Sequence, residues 1–226
     1  ELRDIVKAYD KARKDDGGPL LLVGFNRRFA PHIQHMKRFF ETSVGPFMVQ
    51  YRVNAGFVPR THWTQDPVEG GGRIIGEVCH FIDLIQYLTN SVPVKVSAEP
   101  MASNIAGSSD DDSVIITIKM ENGSVGTIGY VANGDPAMPK EYIEVFSTGR
   151  SAVLENFRTL TLYQQGKRRV FKLSTIDKGH RDEVRSFLTA LNEGKGSPIP
   201  FSSVVTTTVT TFKIVESIRT GVSVSL

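Results

Sequence analysis

The densest run of chemically capable residues is Glu69-Gly70-Gly71-Gly72-Arg73-Ile74-Ile75-Gly76-Glu77-Val78-Cys79-His80-Phe81-Ile82-Asp83, a glycine-rich approach to a helix carrying three ionisable groups. Glu77, His80 and Asp83 are spaced by three, and on a helix that spacing shares a face. The glycines let another group approach the backbone where the helix begins. A carboxylate beside an imidazole suits the handling of a hydroxyl proton, and the acidic neighbour is expected to raise the imidazole pKa. The plainer alternative is that Glu77 and Asp83 solvate the helix while His80 is a satisfied structural histidine. Metal binding is not expected. Glu and His three apart need a second such pair on another helix to make a carboxylate-bridged site, and none is read in the sequence.

Two other clusters stand beside it. His62-Trp63-Thr64-Gln65-Asp66-Pro67 holds the only tryptophan in a loop just before the glycines. A loop tryptophan with polar neighbours stacks well on a sugar ring or a cofactor; the alternative is a tryptophan that plugs the core. Gly24-Phe25-Asn26-Arg27-Arg28-Phe29 follows the apolar run Leu20-Leu21-Leu22-Val23. Ligands bind at the carboxyl edge of open α/β sheets, so Asn26 and Arg27 are candidate cleft residues, with a surface ion pair as the alternative for either arginine.

Residues from Glu1 to Asp16 place Leu2, Ile5, Val6, Tyr9 and Ala12 on one helical face, stopped by Gly17-Gly18-Pro19. Leu20 to Val23 then reads as a strand buried on both faces, of the kind found in parallel sheets. A helix after Pro31 leads to a strand near Phe47 to Asn54, and a wide apolar face from Arg73 to Leu88 makes the helix that carries His80. Short alternating segments follow near Val94 to Ala98, Ser113 to Lys119, Ser124 to Val131, Glu141 to Ser147, Ser151 to Asn156, Thr159 to Gln164 and Arg169 to Leu173. Turns such as Asn122-Gly123 and Thr148-Gly149 make this a largely antiparallel sheet. Two helices close the sequence, at about His180 to Asn192 and Ser203 to Thr220. The second is capped by Ser202 or Ser203 and faces inward through Val205, Val209, Phe212, Val215 and Ile218.

The totals permit this. With 226 residues, 40% hydrophobic and 23% charged, the chain buries a good core. Its 27 basic and 24 acidic residues are interspersed, which gives no nucleic-acid footprint, and Lys167-Arg168-Arg169 reads as the hairpin turn after Gln164-Gln165-Gly166. The single cysteine, Cys79, excludes an internal disulfide framework and a multi-cysteine zinc site. No membrane span or signal peptide is read, and a cytoplasmic setting is the simplest.

Taken together, Val23-Gly24-Phe25-Asn26-Arg27-Arg28-Phe29-Ala30-Pro31, Trp63 with Asp66-Pro67, Gly70-Gly71-Gly72 and the helix at His80-Phe81-Ile82-Asp83 resemble the carboxyl-terminal half of the Gfo/Idh/MocA oxidoreductases. The match holds over about residues 1 to 90 and in outline over the sheet. The resemblance implies an α+β fold: a large, mostly antiparallel open-faced sheet with helices on one face, preceded by the last helix and strand of a Rossmann domain. Residues 1–25 are then the remnant of the dinucleotide-binding domain, and 26–226 the substrate-binding and oligomerisation domain. It further implies NAD or NADP in the full-length protein, with none bound and no turnover by this stretch alone. The reaction is hydride transfer to or from a sugar, polyol or nucleotide sugar, and a homodimer or homotetramer forms through the open sheet face.

By the same resemblance, His80 matches the family's catalytic histidine, with Glu77 as its partner. Arg27, His62, Trp63 and Asp83 line the substrate, and Asn26 and Arg27 lie at the cofactor. Gly76 stands where the family often has Asp, and Thr64-Gln65 where an arginine often follows the tryptophan. Asn54-Ala55-Gly56-Phe57 and Gly72 to Glu77 also resemble a subgroup associated with surface polysaccharide synthesis, some members fused to a zinc-type alcohol dehydrogenase module. The alternative function is a non-catalytic sugar-binding or assembly module of the same fold.

Overall fold

A computed structural model describes residues 1–13, 18–59, 61–66, 68–101 and 113–226. The expected helix stop at Gly17 and Pro67 of the tryptophan loop lie outside the described residues. The helices are α1 (Leu2–Arg13), α2 (Pro31–Phe39), α3 (Cys79–Thr89), α4 (His180–Asn192) and α5 (Phe201–Thr220). The strands are β1 (Met48–Asn54), β2 (Pro93–Pro100), β3 (Val114–Met120), β4 (Val125–Val131), β5 (Glu141–Ser147), β6 (Arg150–Glu155), β7 (Thr159–Gln164), β8 (Lys167–Lys172) and β9 (Val224–Ser225). They form one sheet in the order β8-β7-β6-β5-β1-β4-β3-β2-β9. Every pairing is antiparallel except β1 with β4.

Alternation along the strands sorts the two faces. Val49, Tyr51 and Val53 of β1, Ile116 and Ile118 of β3, Ile143 and Val145 of β5 and Leu160 and Leu162 of β7 point inward, onto Ile33 and Met36 of α2 and Phe81, Ile82 and Ile85 of α3. The opposite face leaves Met48, Ile115, Phe146, Tyr163 and Val170 exposed. Hairpins at Thr148-Gly149 and Gln165-Gly166 have positive φ at both turn residues, as tight two-residue hairpin turns require. The basic run Lys167-Arg168-Arg169 therefore lies on β8, where exposed charge protects an edge strand from pairing with another chain.

Three further expectations change. Leu20 to Val23 makes no strand, because no neighbouring strand among the described residues offers hydrogen bonds. Leu22 and Val23 instead pack on a small cluster of Phe25, Ile199 and Val204. Helix α5 is helical as its periodicity predicts, but it is rotated. Phe212 and Val215 face outward, while Val204, Thr207, Thr210, Thr211, Ile214 and Ser217 are buried. The threonines tolerate burial because their hydroxyls are already bonded. Thr210 Oγ1 donates to the Thr206 carbonyl at 2.7 Å, and Thr207 Oγ1 accepts from Gln86 Nε2 of α3 at 2.6 Å. Ser217 Oγ accepts the Ala98 N–H of β2 at 3.0 Å, covering part of that strand's edge. Neither Ser202 nor Ser203 caps the helix; the N-cap position is Pro200, with no side-chain cap bond.

Candidate active site

Ile74–Val78 forms one π-helical turn that runs directly into α3. Such a turn holds an extra residue, which shifts Glu77 off the line of His80 and Asp83. The three ionisable groups expected on one face go to three places. Glu77 turns to the sheet, where Tyr130 Oη, Lys140 Nζ (2.8 Å) and Arg73 Nη2 (3.3 Å) donate to it. Burial pushes its carboxyl up, but the bonds from Lys140 and Tyr130 outweigh this and hold it below the ordinary carboxylate range. Asp83 is 0% exposed and accepts both Nε (2.9 Å) and Nη2 of Arg28. Burial raises its pKa against the pull of that guanidinium. Asp83 is thus spent on an internal ion pair and does not face a substrate cleft.

A second carboxylate cluster parallels the first. Glu141, also 0% exposed, accepts Arg27 Nε at 2.9 Å and Nη2 at 3.1 Å, together with Lys178 Nζ and Tyr51 Oη. Desolvation alone would raise the Glu141 pKa, yet Arg27 and Lys178 bring it down to about 2. Arg27 also lies over the Phe81 ring, 4.8 Å from its centroid. Asn26 Nδ2 donates to the Lys178 carbonyl at 2.8 Å. Both were expected at the cofactor, and Arg27 also at the substrate. Both are buried and fasten the Lys178 turn instead.

That turn passes through Gly179, at φ +86°, where an added Cβ would stand 2.4 Å from Ala30 N and 2.6 Å from the Asn26 carbonyl oxygen. Gly179→Ala is expected to destabilise the protein by about 1–3 kcal/mol from backbone strain, before any clash is counted. A urea unfolding midpoint unchanged from the parent would refute this docking.

His80 lies between the clusters. Tyr130 and Glu141 both pair with Val53, so they flank it on one face, about 10 Å apart across two strand spacings. Phe81 fills the gap, its ring centroid 4.9 Å from Tyr51 and 6.2 Å from Tyr130. His80 stands edge-on to Phe25, centroids 5.7 Å apart, and its buried Nδ1 has no hydrogen-bond partner among the described residues. Burial first, then Arg27, push its pKa down to about 4, against the opposing pull of Glu77 and Glu141. The outcome reverses the expectation from sequence, since desolvation and a cation outweigh the acidic neighbours.

His180, at the start of α4, also acts on His80 electrostatically. With Glu183 it makes a second histidine–carboxylate pair spaced by three, which the sequence reading overlooked. Even so, no group of three His, Cys, Asp or Glu among the described residues is placed to hold a metal. Cys79 is no nucleophile, because burial pushes its thiol up to about 11.

The tryptophan loop leads into this region. Trp63 is 62% exposed on a single 3-10 turn, so it does not plug the core. His62 beside it accepts the Thr64 N–H through Nδ1 at 3.3 Å. The Gly70 and Gly71 N–H groups donate to the Asp66 carbonyl at 2.9 Å, tying the loop to the approach of the π turn. A concavity of about 620 Å³ lined by Lys37, Phe40 and Asn90 lies at the opposite end of the sheet, near the start of β1, and does not include His80. Sequence reasoning missed Tyr51, Tyr130, Lys140, Glu141 and Lys178, which signal themselves only through contacts distant in the chain.

A dinucleotide requires a glycine-rich turn between a strand and a helix with free N–H groups. Among the described residues Gly24 follows extended chain and not a strand, and Asn26 and Arg27 are occupied, so these residues do not fit that group.

Residues 45–153 match the model of the GFO/IDH/MocA C-terminal domain. An uncharacterized oxidoreductase, YrbE, of Bacillus subtilis is 27% identical over 195 residues, covering 80% of this chain and 55% of the relative. An inositol 2-dehydrogenase of Rhizobium meliloti is 23% identical over 186 residues, covering 77% and 55%. The chain thus spans about half the length of the curated relatives it matches. A levoglucosan dehydrogenase solved with NADH and levoglucosan shares the fold at a TM-score of 0.79 with 20% identity, over 99% of this chain and 70% of that one. Over residues 45–153 the chain is thus similar to the GFO/IDH/MocA C-terminal domain, and the curated relatives it matches are named as an oxidoreductase and an inositol 2-dehydrogenase.

Proposed function

We propose that the chain forms the substrate-binding half of an NAD- or NADP-dependent oxidoreductase acting on a hydroxyl of a sugar, polyol or nucleotide sugar. The observation that carries this is His80: a largely buried imidazole kept neutral near pH 7, its buried Nδ1 without a hydrogen-bond partner among the described residues, set between two carboxylate clusters. A neutral imidazole accepts the hydroxyl proton as the carbon is oxidised and returns it in the reverse direction. Glu77 positions the rim through Tyr130, Arg73 and Lys140, while the exposed His62 and Trp63 offer a stacking and hydrogen-bonding surface to a sugar ring. Residues 1–25 read as the closing elements of a dinucleotide-binding domain, with the nicotinamide held by groups other than Asn26 and Arg27. A cytoplasmic protein that self-associates through the open sheet face, where Met48 and Phe146 pair side by side, fits the same reading. A role in polysaccharide metabolism rests on the subgroup resemblance alone.

The test is to supply the full-length protein, of which this chain is the substrate-binding half in this reading, with NAD or NADP and a panel of sugars, polyols and nucleotide sugars and follow reduced-nicotinamide absorbance. No turnover and no dinucleotide binding would replace the enzyme by a sugar-binding or assembly module. Within an active protein, Glu77→Gln is expected to lower kcat about tenfold by loosening Lys140, Tyr130 and Arg73 at once. Unchanged turnover would remove Glu77 from the site.

A further inference from the structure

The two carboxylate clusters have the same composition. Each centres on one glutamate and gathers an arginine, a lysine and a tyrosine: Glu77 with Arg73, Lys140 and Tyr130, and Glu141 with Arg27, Lys178 and Tyr51. Four cations against two carboxylates leave two positive charges uncompensated within the clusters. Among the described residues no other acidic side chain forms an ion pair with these four cations: Asp83 is matched by Arg28, and Asp177 accepts the Gly179 N–H at 2.8 Å.

The excess charge is directed. Arg27 and Arg73 are buried and fixed by bonds within the fold. The lysine side chains reach the surface, Lys140 at 39% exposed and Lys178 at 21%. An ammonium has three donors, and among the described residues each lysine spends one, on its glutamate. Lys140 directly precedes Glu141, so the two clusters are joined through the backbone at the start of β5. His80 lies between them and feels Arg27, Glu77 and Glu141 together. Such a pair of partly exposed cations, each held in place by one glutamate and keeping further donors, is preorganised for an anion.

We infer that Lys140 and Lys178 recognise an anionic substituent, a phosphate ester or a carboxylate, on the sugar whose hydroxyl meets His80. The inference rests on the oxidoreductase reading for the identity of the site but makes a separate claim about charge. A neutral sugar would leave the excess positive charge of the two clusters unmatched, whereas an anionic one offsets it through the remaining donors of both ammoniums. The lysines are specificity-determining residues and take no part in proton transfer.

The experiment is calorimetric binding of glucose, glucose 1-phosphate and glucuronate to the protein, three probes sharing one ring and differing in charge. At least one charged sugar is expected to bind about tenfold to a hundredfold more tightly than glucose. The preferred probe separates phosphate from carboxylate recognition. Lys140→Gln and Lys178→Gln should each erode that preference, and the double variant should remove it, with thermal unfolding confirming an intact fold. Equal binding of all three, no binding of either charged sugar, or a preference that survives the double variant overturns the proposal. Binding needs no turnover. A protein that prefers charged sugars yet reduces no dinucleotide would keep the lysine site and lose the oxidoreductase reading, and an active one indifferent to charge would do the reverse.

Discussion

Glu141→Ala is expected to cost about 3–5 kcal/mol of folding stability, the range for removing one partner of a buried ion pair. The reason is what the variant strands. Arg27 would keep its place against Phe81 without an acceptor for Nε and Nη2, and Tyr51 Oη would lose its partner in the core. Unfolding in urea at pH 7 measures this, and a loss below about 1 kcal/mol would show that water or rearrangement satisfies the cluster. The pH dependence gives a second, independent reading. The Glu141 carboxyl sits at about 2 in the folded protein against an ordinary value of 4.5, so the unfolded chain takes up its proton first as pH falls. The stabilisation is complete above pH 4.5 and is lost as pH drops toward 2. The variant should therefore be less acid-sensitive in that window, although less stable above it. Replacing Glu141 and Arg27 together with apolar residues of similar volume should restore much of the loss, because no buried charge is then left alone.

How far these clusters were legible in sequence depends on distance along the chain. Strands β5 and β7 and helix α4 appear where alternation and helical period place them, because those signals are local. The parallel pairing of β1 with β4 is not local, and β9 is two residues long, so neither leaves a pattern to read. The face of α5 was misassigned because apolar periodicity weighs Val and Phe over Thr, while packing against α3 selected small side chains able to satisfy their own hydroxyls. At the site, the spacing of Glu77 and His80 drew attention to the right helix. Their partners were invisible: Lys140 lies 63 residues from Glu77, and Glu141 lies 114 from Arg27. The π turn also broke the assumption of a constant helical period that had put Glu77, His80 and Asp83 on one face.

That same correction decides what pH should do to catalysis. His80→Ala, in the protein supplied with dinucleotide and substrate, is expected to lower kcat by about 10²–10⁴, the usual contribution of a positioned general acid–base. The shape of the parent's profile distinguishes the two electrostatic pictures. Had Glu77 governed His80, the imidazole pKa would lie above its ordinary 6.5 and activity would decline as soon as pH fell below neutrality. With burial and Arg27 dominant, His80 stays neutral down to about pH 4, so kcat/KM should remain level from pH 8 to below pH 6 and fall only near 4. Folding stability carries the matching sign. The unfolded chain protonates this histidine near 6.5 while the folded protein refuses the proton until about 4, so stability declines across that interval as pH is lowered. His80→Ala should abolish that part of the decline. An acid limb in kcat/KM near pH 7 that moves on Glu77→Gln would return control of His80 to its acidic neighbour. A limb near 4 that shifts upward when Arg27 is replaced by Met would place control with the guanidinium, because losing that cation makes the imidazolium easier to form.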